Sequence, residues 1–228
     1  MAQLNVIIVA GGKGLRMGGG LPKQFIEVGG KPILMHTIDA FFRFDSWIRI
    51  ILVLPESHRE YWQELCTKYN YDVPHVVTTG GETRFHSVKN GLALVDDGLV
   101  AVHDGARPFT SEELIGRCFL AARDNGAAIP VVDATDSLRQ IQENGSSKII
   151  DRSRIKLVQT PQIFEVELLK KAYGQEFSNI FTDDASVVET LGQEIKLVQG
   201  EITNIKVTTP IDLKIGELIL EDNQHHSH

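Results

Sequence analysis

From Leu4 to Val132 the chain alternates short apolar runs with stretches of helical periodicity, and this alternation limits the possible folds more than any other feature. Leu4 to Ala10 (LNVIIVA) is nearly continuous in apolar residues and stops at Gly11-Gly12. Ile48 to Leu54 (IRIILVL) repeats the pattern and stops at Pro55, and Val73–Thr78, Leu99–Val102 and Ala127–Val132 follow. Runs of this length without polar alternation predict strands buried on both faces, as in a parallel sheet. Between them, Leu34, Met35, Ile38, Phe41 and Phe42 recur at helical spacing behind Pro32, where a missing N–H does no harm. Ser57–Asn70 and Thr83–Val95 also read as helices. Ser111 can cap the next one, with Glu112 and Glu113 in the first turn, where the helix dipole favours carboxylates. Such alternation predicts an open α/β sheet, mostly parallel, with right-handed crossovers. Ligands bind such sheets at the carboxyl ends of the strands, so the polar clusters after strands one, three and four share one functional rim.

The alternation breaks between Asp133 and Leu157, where Ser137–Ile141 and Lys148–Ile150 flank an Asn144-Gly145 turn signal. This predicts an inserted β-hairpin arm at about 134–157. A lone hairpin is marginal in water, so it packs on something, a second subunit being one choice and a mobile surface hairpin the other. Val166–Tyr173 and Asp184–Leu191 read as helices, Glu194–Val198 as a strand and Ile211–Leu220 as a closing helix. The expectation is one domain over 1–222 and a disordered, His-containing tail over 223–228.

With 23 Lys+Arg against 30 Asp+Glu, the formal net charge is -7. That argues against nucleic acid as the main partner. Two cysteines, Cys66 and Cys118, without CxxC spacing exclude a disulfide scaffold and a zinc ribbon and fit the reducing cytoplasm. No apolar run is long enough for a membrane span, and the N-terminus lacks the basic start and cleavage site of a signal peptide.

Five segments can carry chemistry. Ala10-Gly11-Gly12-Lys13-Gly14-Leu15-Arg16, then Pro22-Lys23, form a Gly-rich turn after the first strand whose N–H groups can approach an anion. Met17 stands where a dinucleotide fingerprint has its third Gly, and no Gly-Lys-Ser/Thr triplet makes it a Walker A loop. Arg16 and Lys23 beside this turn suit a phosphate clamp. Gly80-Gly81-Glu82-Thr83, with Ser87, is either a reader of a base edge or simply a helix cap at Thr83. His103-Asp104-Gly105-Ala106-Arg107 follows strand four. Asp104 is a candidate metal ligand or substrate contact, or else half of a structural pair with Arg107, and His103 reads as packed rather than as a base. Asp136-Ser137 and Asp151-Arg152 stand at the two feet of the arm, where Arg152 could grip a phosphate. Lys206, in Asn204–Thr209, precedes the last helix. No Ser/His/Asp order, HExxH or marked carboxylate pair occurs, so the chemistry expected is charge stabilisation.

Taken together, AGGKGLRM with LPKQF, GGETRFHSV, VHDGARP, the arm segments DSL and DR, QTPQIF, TDDAS and NIKVTTP resemble the nucleotidyltransferases that activate sugar and polyol phosphates. More narrowly they resemble the 2-C-methyl-D-erythritol 4-phosphate cytidylyltransferases, over nearly the whole chain. The resemblance implies a Rossmann-like nucleotidyltransferase sheet with a dimerisation arm. It also implies that the backbone of Ala10, Gly11, Gly12 and Gly14 wraps CTP, while Arg16 and Lys23 hold its phosphates and stabilise the pentacoordinate α-phosphorus. Gly81, Glu82 and Ser87 would select cytosine. Asp104 would meet Mg²⁺ or another divalent cation near the ribose, with Arg107 in support. Arg152, Ser137 and Lys206 would hold the acceptor phosphate, Arg152 reaching in from the other subunit of a homodimer.

The family pattern often has Thr at Ser137, which leaves Thr135 as a competing assignment. It also has Ala at Gly105, an exchange that sequence alone treats as harmless. Ribitol 5-phosphate as acceptor is the nearest rival, and a non-catalytic nucleotide-binding protein on the same fold is a more distant one.

Overall fold

The computed structural model of the chain describes residues 3–11 and 22–225. Its strands are β1 (Leu4–Val9), β2 (Glu27–Val28), β3 (Lys31–Pro32), β4 (Arg49–Leu54), β5 (Val76–Thr79), β6 (Leu99–Asp104), β7 (Ala127–Asp133), β8 (Leu138–Ile141), β9 (Ser147–Ile150), β10 (Lys156–Val158), β11 (Gln162–Glu165) and β12 (Lys196–Gln199). Its helices are α1 (Ile33–Phe44), α2 (Glu56–Lys68), α3 (Arg84–Leu92), α4 (Glu112–Asn125), α5 (Val166–Tyr173), α6 (Asp184–Glu189) and α7 (Pro210–His225). The main sheet runs β10-β7-β11-β6-β1-β4-β5, with β12 also on β7.

All pairings among β6, β1, β4 and β5, and that of β12 with β7, are parallel. The predicted α/β sheet is therefore the observed one, with an antiparallel piece that the alternation did not announce. After the arm, β10 runs antiparallel to β7, and β11 runs antiparallel to both β6 and β7. Only Leu138–Ile150 forms the hairpin itself, β8 against β9 in the register Leu138↔Ile150 to Ile141↔Ser147.

Burial follows the two-residue period of the strands. Val6 and Ile8 of β1, Ile50, Leu52 and Leu54 of β4, and Ala101 of β6 pack on one face with α1, α2 and α4. Ile7, Ile51, Val53, Val100 and Val102 pack on the other with α3 and α5. Both faces being covered explains why these strands carry no polar alternation.

Ser111 caps α4 as expected, its hydroxyl accepting from Leu114 N–H at 3.0 Å. β5 begins later than predicted, at Val76, because Pro74 has no N–H for a ladder bond. Ahead of α1 stand a 3₁₀ turn, Lys23–Phe25, and the small β2–β3 hairpin. α7 continues to His225, beyond the expected Leu220 and into the stretch expected as a tail, while residues 226–228 lie outside the described residues. Leu213, Ile219 and Leu220 of α7 pack beside Val28, Ile33, Phe109 and Val207, which holds α7 against β2 and the loop after β6. Among the described residues no helix is long and apolar enough to cross a membrane.

Candidate active site

The carboxyl ends of β1, β4, β5 and β6 meet at a cavity of about 540 Å³, a size suited to a nucleotide. Ala10 and Gly11 line it from β1, Gly80, Gly81 and Glu82 from β5, and Asp104 from β6. Lys23, Arg84, Ser87 and Lys206 complete its polar wall. The rim inferred from the polar clusters is thus real. Gly12, Gly14 and Arg16 lie outside the described residues.

Ala10 is held from both sides of its peptide. Its N–H donates to Val53 O at 3.0 Å, and buried Gln24 donates from Nε2 to Ala10 O at 2.9 Å. This ties the Lys23–Phe25 turn to the end of β1 and sets Lys23 at the cavity. Across the cavity, Ser87 Oγ accepts from Gly81 N–H and donates to Thr83 O, both at 3.0 Å. Ser87 therefore shapes the Gly80-Gly81 turn as well as lining the site. Thr83 is also the N-cap of α3, which bears out the capping reading of this segment. A Cβ on Gly81 would stand 2.3 Å from His86 Cβ, so only glycine allows this approach. Gly105 is similar: a Cβ would come within 2.9 Å of Ala10 Cβ and 3.2 Å of Leu34. An exchange with Ala would require Ala10 or Leu34 to shift locally.

Asp104 is the electrostatic centre. Lys206 Nζ lies 2.8 Å from its Oδ2, Arg107 Nε 3.7 Å from the same oxygen, and Arg84 Nε 3.7 Å from Oδ1. Burial alone would raise this carboxyl; the charges of Arg84, Lys206 and Arg107 outweigh it and hold the group well below the usual carboxylate range. Arg107 does not line the cavity. It is mostly buried, and its Nη1 donates to Asn204 O at 2.7 Å, locking the turn after β6 to the segment that carries Lys206. Asn204, fully buried, donates to Thr160 O at 2.9 Å and accepts from Thr110 Oγ1 at 2.9 Å. Val207 N–H donates to Ala106 O at 2.8 Å. Lys206 thus stands on a fixed backbone.

His103 behind Asp104 is fully buried, and burial pushes its imidazole down to about 4. Its Nε2 meets Arg107 O at 3.0 Å, and a carbonyl can only accept, so Nε2 carries the proton. Nδ1 then accepts from Thr160 Oγ1 at 3.0 Å, and Thr160 Oγ1 in turn accepts from Asp104 N–H at 3.1 Å. His103 is a neutral support, as expected, and not a base.

Ser137 and Arg152 do not reach this cavity within the chain. Both are exposed at the feet of the arm, where Arg152 Nη1 donates to Thr135 O, so the hairpin does bring the two segments together. Among the described residues no group of three His, Cys, Asp or Glu side chains could hold a metal. Asp104 offers one carboxylate, already contacted by cations.

Sequence reading gave no role to Arg84, Asp184, Gln24, Thr160 or Asn204. Arg84 makes a two-pronged pair with fully buried Asp184, at 2.8 and 2.7 Å. The signal was present in GGETRF, QTPQIF and TDDAS, polar runs next to apolar ones, but their pairing is not local.

A family model described as IspD, 2-C-methyl-D-erythritol 4-phosphate cytidylyltransferase, matches residues 4–222. A protein of that name from Bacteroides thetaiotaomicron is 59% identical over 217 residues, 95% of this chain and 99% of that one. One from Geobacillus kaustophilus is 40% identical over 94% of this chain and 95% of its own. Among solved structures, the 4-diphosphocytidyl-2C-methyl-D-erythritol synthase of Anaerococcus prevotii superposes with a TM-score of 0.82 at 32% identity, covering 96% of each chain. The cytidylyltransferase of Thermus thermophilus does so with a TM-score of 0.78 at 34% identity, covering 96% of this chain and 99% of that one. The match runs from β1 into α7, and the chain belongs to the 2-C-methyl-D-erythritol 4-phosphate cytidylyltransferase family.

Proposed function

We propose that this chain transfers the cytidylyl group of CTP to 2-C-methyl-D-erythritol 4-phosphate, giving the CDP-linked methylerythritol and pyrophosphate, a step of non-mevalonate isoprenoid precursor synthesis. The observation that carries the reading is Asp104 among three cations, in a cavity that also holds Lys23 and the Gly80-Gly81 turn. An oxygen of the acceptor phosphate attacks the α-phosphorus in line. The bond from that phosphorus to the bridging oxygen breaks, and pyrophosphate leaves with the electron pair. No base is needed, because a phosphate is already anionic near neutral pH. The barrier is largely repulsion between two polyanions, and Arg16, Lys23 and Lys206 lower it by fixed positive charge.

The backbone of Ala10, Gly11, Gly12 and Gly14 wraps the nucleotide, and Gly81, Glu82 and Ser87 read the base. Asp104 meets the ribose side, and Arg107 holds it in place. A single hard carboxylate fits Mg²⁺ that arrives with the triphosphate better than a resident metal, since Mg²⁺ is commonly held by one or two carboxylates plus substrate phosphates. Bound there by Asp104 and the phosphates, the cation would neutralise phosphate charge.

Arg152 and Ser137 contact the acceptor phosphate from the partner subunit of a homodimer. The arm supports this: Ile141 and Ile149 lie on one face of the hairpin, beside Arg139 and Ser147, and are 71% and 77% exposed, two large apolar side chains for a partner to cover. The two free cysteines, Cys66 and Cys118, support a reducing compartment, the cytoplasm. Ribitol 5-phosphate is not favoured as acceptor, because the matching family and the relatives described above all carry the methylerythritol name.

The test is pyrophosphate release from CTP and Mg²⁺ with the two acceptors in parallel. Release with methylerythritol 4-phosphate alone is expected. Release with ribitol 5-phosphate alone would overturn the acceptor, and release with neither would overturn the reaction.

A further inference from the structure

We propose that Arg84 is a positioning residue for the transfer: clamped on buried Asp184, its guanidinium fixes the orientation of the Asp104 carboxylate and keeps a permanent charge in the cavity wall. The proposal rests on the function proposed above and assigns it a further residue pair.

Arg84 is the first residue of α3 and lines the cavity. Its Nη1 and Nη2 donate to the two oxygens of Asp184 at 2.8 and 2.7 Å. Asp184 is fully buried and also accepts from the Tyr173 hydroxyl at 2.6 Å. The helix that carries it, α6, is itself tied to β11. Gln162 donates from Nε2 to Asp183 at 2.8 Å and accepts at Oε1 from Ala185 N–H at 2.9 Å. A bidentate guanidinium–carboxylate pair fixes a plane as well as a distance.

That plane leaves the third nitrogen, Nε, 3.7 Å from Asp104 Oδ1. Lys206 and Arg107 stand on the other oxygen, Oδ2. The two oxygens of Asp104 therefore have different partners on different elements, and rotating the carboxylate breaks the Lys206 contact. Lysine at position 84 would keep the charge but not the fork. A buried ion pair is a poor device for stability alone, since apolar residues of similar volume often do as well. Its value here lies in aiming Arg84.

The experiment compares wild type with Asp184→Asn, Arg84→Lys and the apolar pair Arg84→Met/Asp184→Leu, in steady-state pyrophosphate release and thermal unfolding. In Asp184→Asn and Arg84→Lys, kcat should fall roughly 10- to 100-fold, the size of effect that a misplaced reacting group produces, with KM for CTP within about threefold. The apolar pair should unfold at or near the wild-type temperature yet stay as slow as the single variants. Folded variants that keep kcat within about twofold would overturn the proposal, and so would a rise in KM for CTP at unchanged kcat, the mark of uniform binding. If Asp184→Asn does not fold, Arg84→Lys and Tyr173→Phe, which removes one donor from Asp184, carry the same comparison. A wild type inactive with CTP and methylerythritol 4-phosphate would overturn the function proposed above, and this proposal with it, before any variant is compared.

Discussion

Mild acid should loosen this fold through His103, which lies behind Asp104 at the end of β6. In the unfolded chain the imidazole takes up a proton near its ordinary value of 6.5; in the folded chain it stays neutral down to about 4. Between those values the unfolded state binds more protons, so stability is lost as pH falls through 6.5 towards 4 and is fully present above that window. At about 1.4 kcal/mol per unit, the 2.5-unit gap amounts to about 3 kcal/mol at its limit, and about 2 kcal/mol is lost between pH 7.5 and 5. Burial also lowers His36 and His58, which act in the same direction, so wild type alone does not assign the effect. His103→Gln does, because the Gln amide can still donate to Arg107 O but cannot take up a proton. Urea unfolding of both proteins at pH 7.5 and 5 should show a fixed cost for the lost Thr160 bond and a smaller acid loss in the variant, by about 2 kcal/mol. Equal acid losses in both proteins would refute the neutral, Nε2-protonated His103, and with it the support proposed for the backbone of Asp104.

The division of the site between charges gives further expectations. Lys23→Ala should lose mostly turnover and Arg152→Ala mostly affinity for the acceptor phosphate; equal loss of CTP affinity in both, measured by steady-state kinetics, would contradict it. If Arg152 serves the partner's site, Arg152→Ala and Lys206→Ala proteins, assayed at an acceptor concentration low enough that each is nearly inactive, should regain about a quarter of wild-type activity when unfolded together and refolded as a mixture, because mixed dimers keep one intact site. No recovery would place Arg152 in its own chain's site. Burial pushes the Cys118 thiol up to about 12, so a thiol reagent at pH 8 should label Cys66 in the folded protein and Cys118 only in denaturant. Labelling of Cys118 at the same rate as Cys66 would mean that the α4 face of the core opens readily.

What could be read in the sequence was what the chain decides locally. The apolar runs of β1, β4 and β6 are buried on both faces and therefore show no alternation, the Ser111 cap acts within three residues, and the hairpin turns at Asn144-Gly145. Lys23, Gly81, Asp104 and Lys206 follow strand ends on one rim, so parallel topology brings them together wherever the loops lead. What escaped was set by distant pairing. β11 is four residues long, and nothing in Gln162–Glu165 announces that it enters between β6 and β7 in the opposite direction. Arg84 and Asp184 are one hundred positions apart, and Asn204 meets Thr160 across β11, α5, α6 and β12. A buried carboxylate or amide in a polar run carries no local mark of its partner. The contact a Cβ on Gly105 would make with Ala10 is likewise set by the pairing of β1 with β6 and has no local mark.

In the proposed reaction CTP reacts at the rim shared by β1, β5 and β6, with the acceptor phosphate held by Lys206 and by the partner's arm. A crystal structure with the CDP-linked methylerythritol product bound tests it most directly. Cytosine should lie against Gly81, Glu82 and Ser87, the diphosphate between Lys23 and Lys206, and a second subunit's arm over the acceptor end. Product bound away from Asp104, or at this rim with no arm near it, would contradict it.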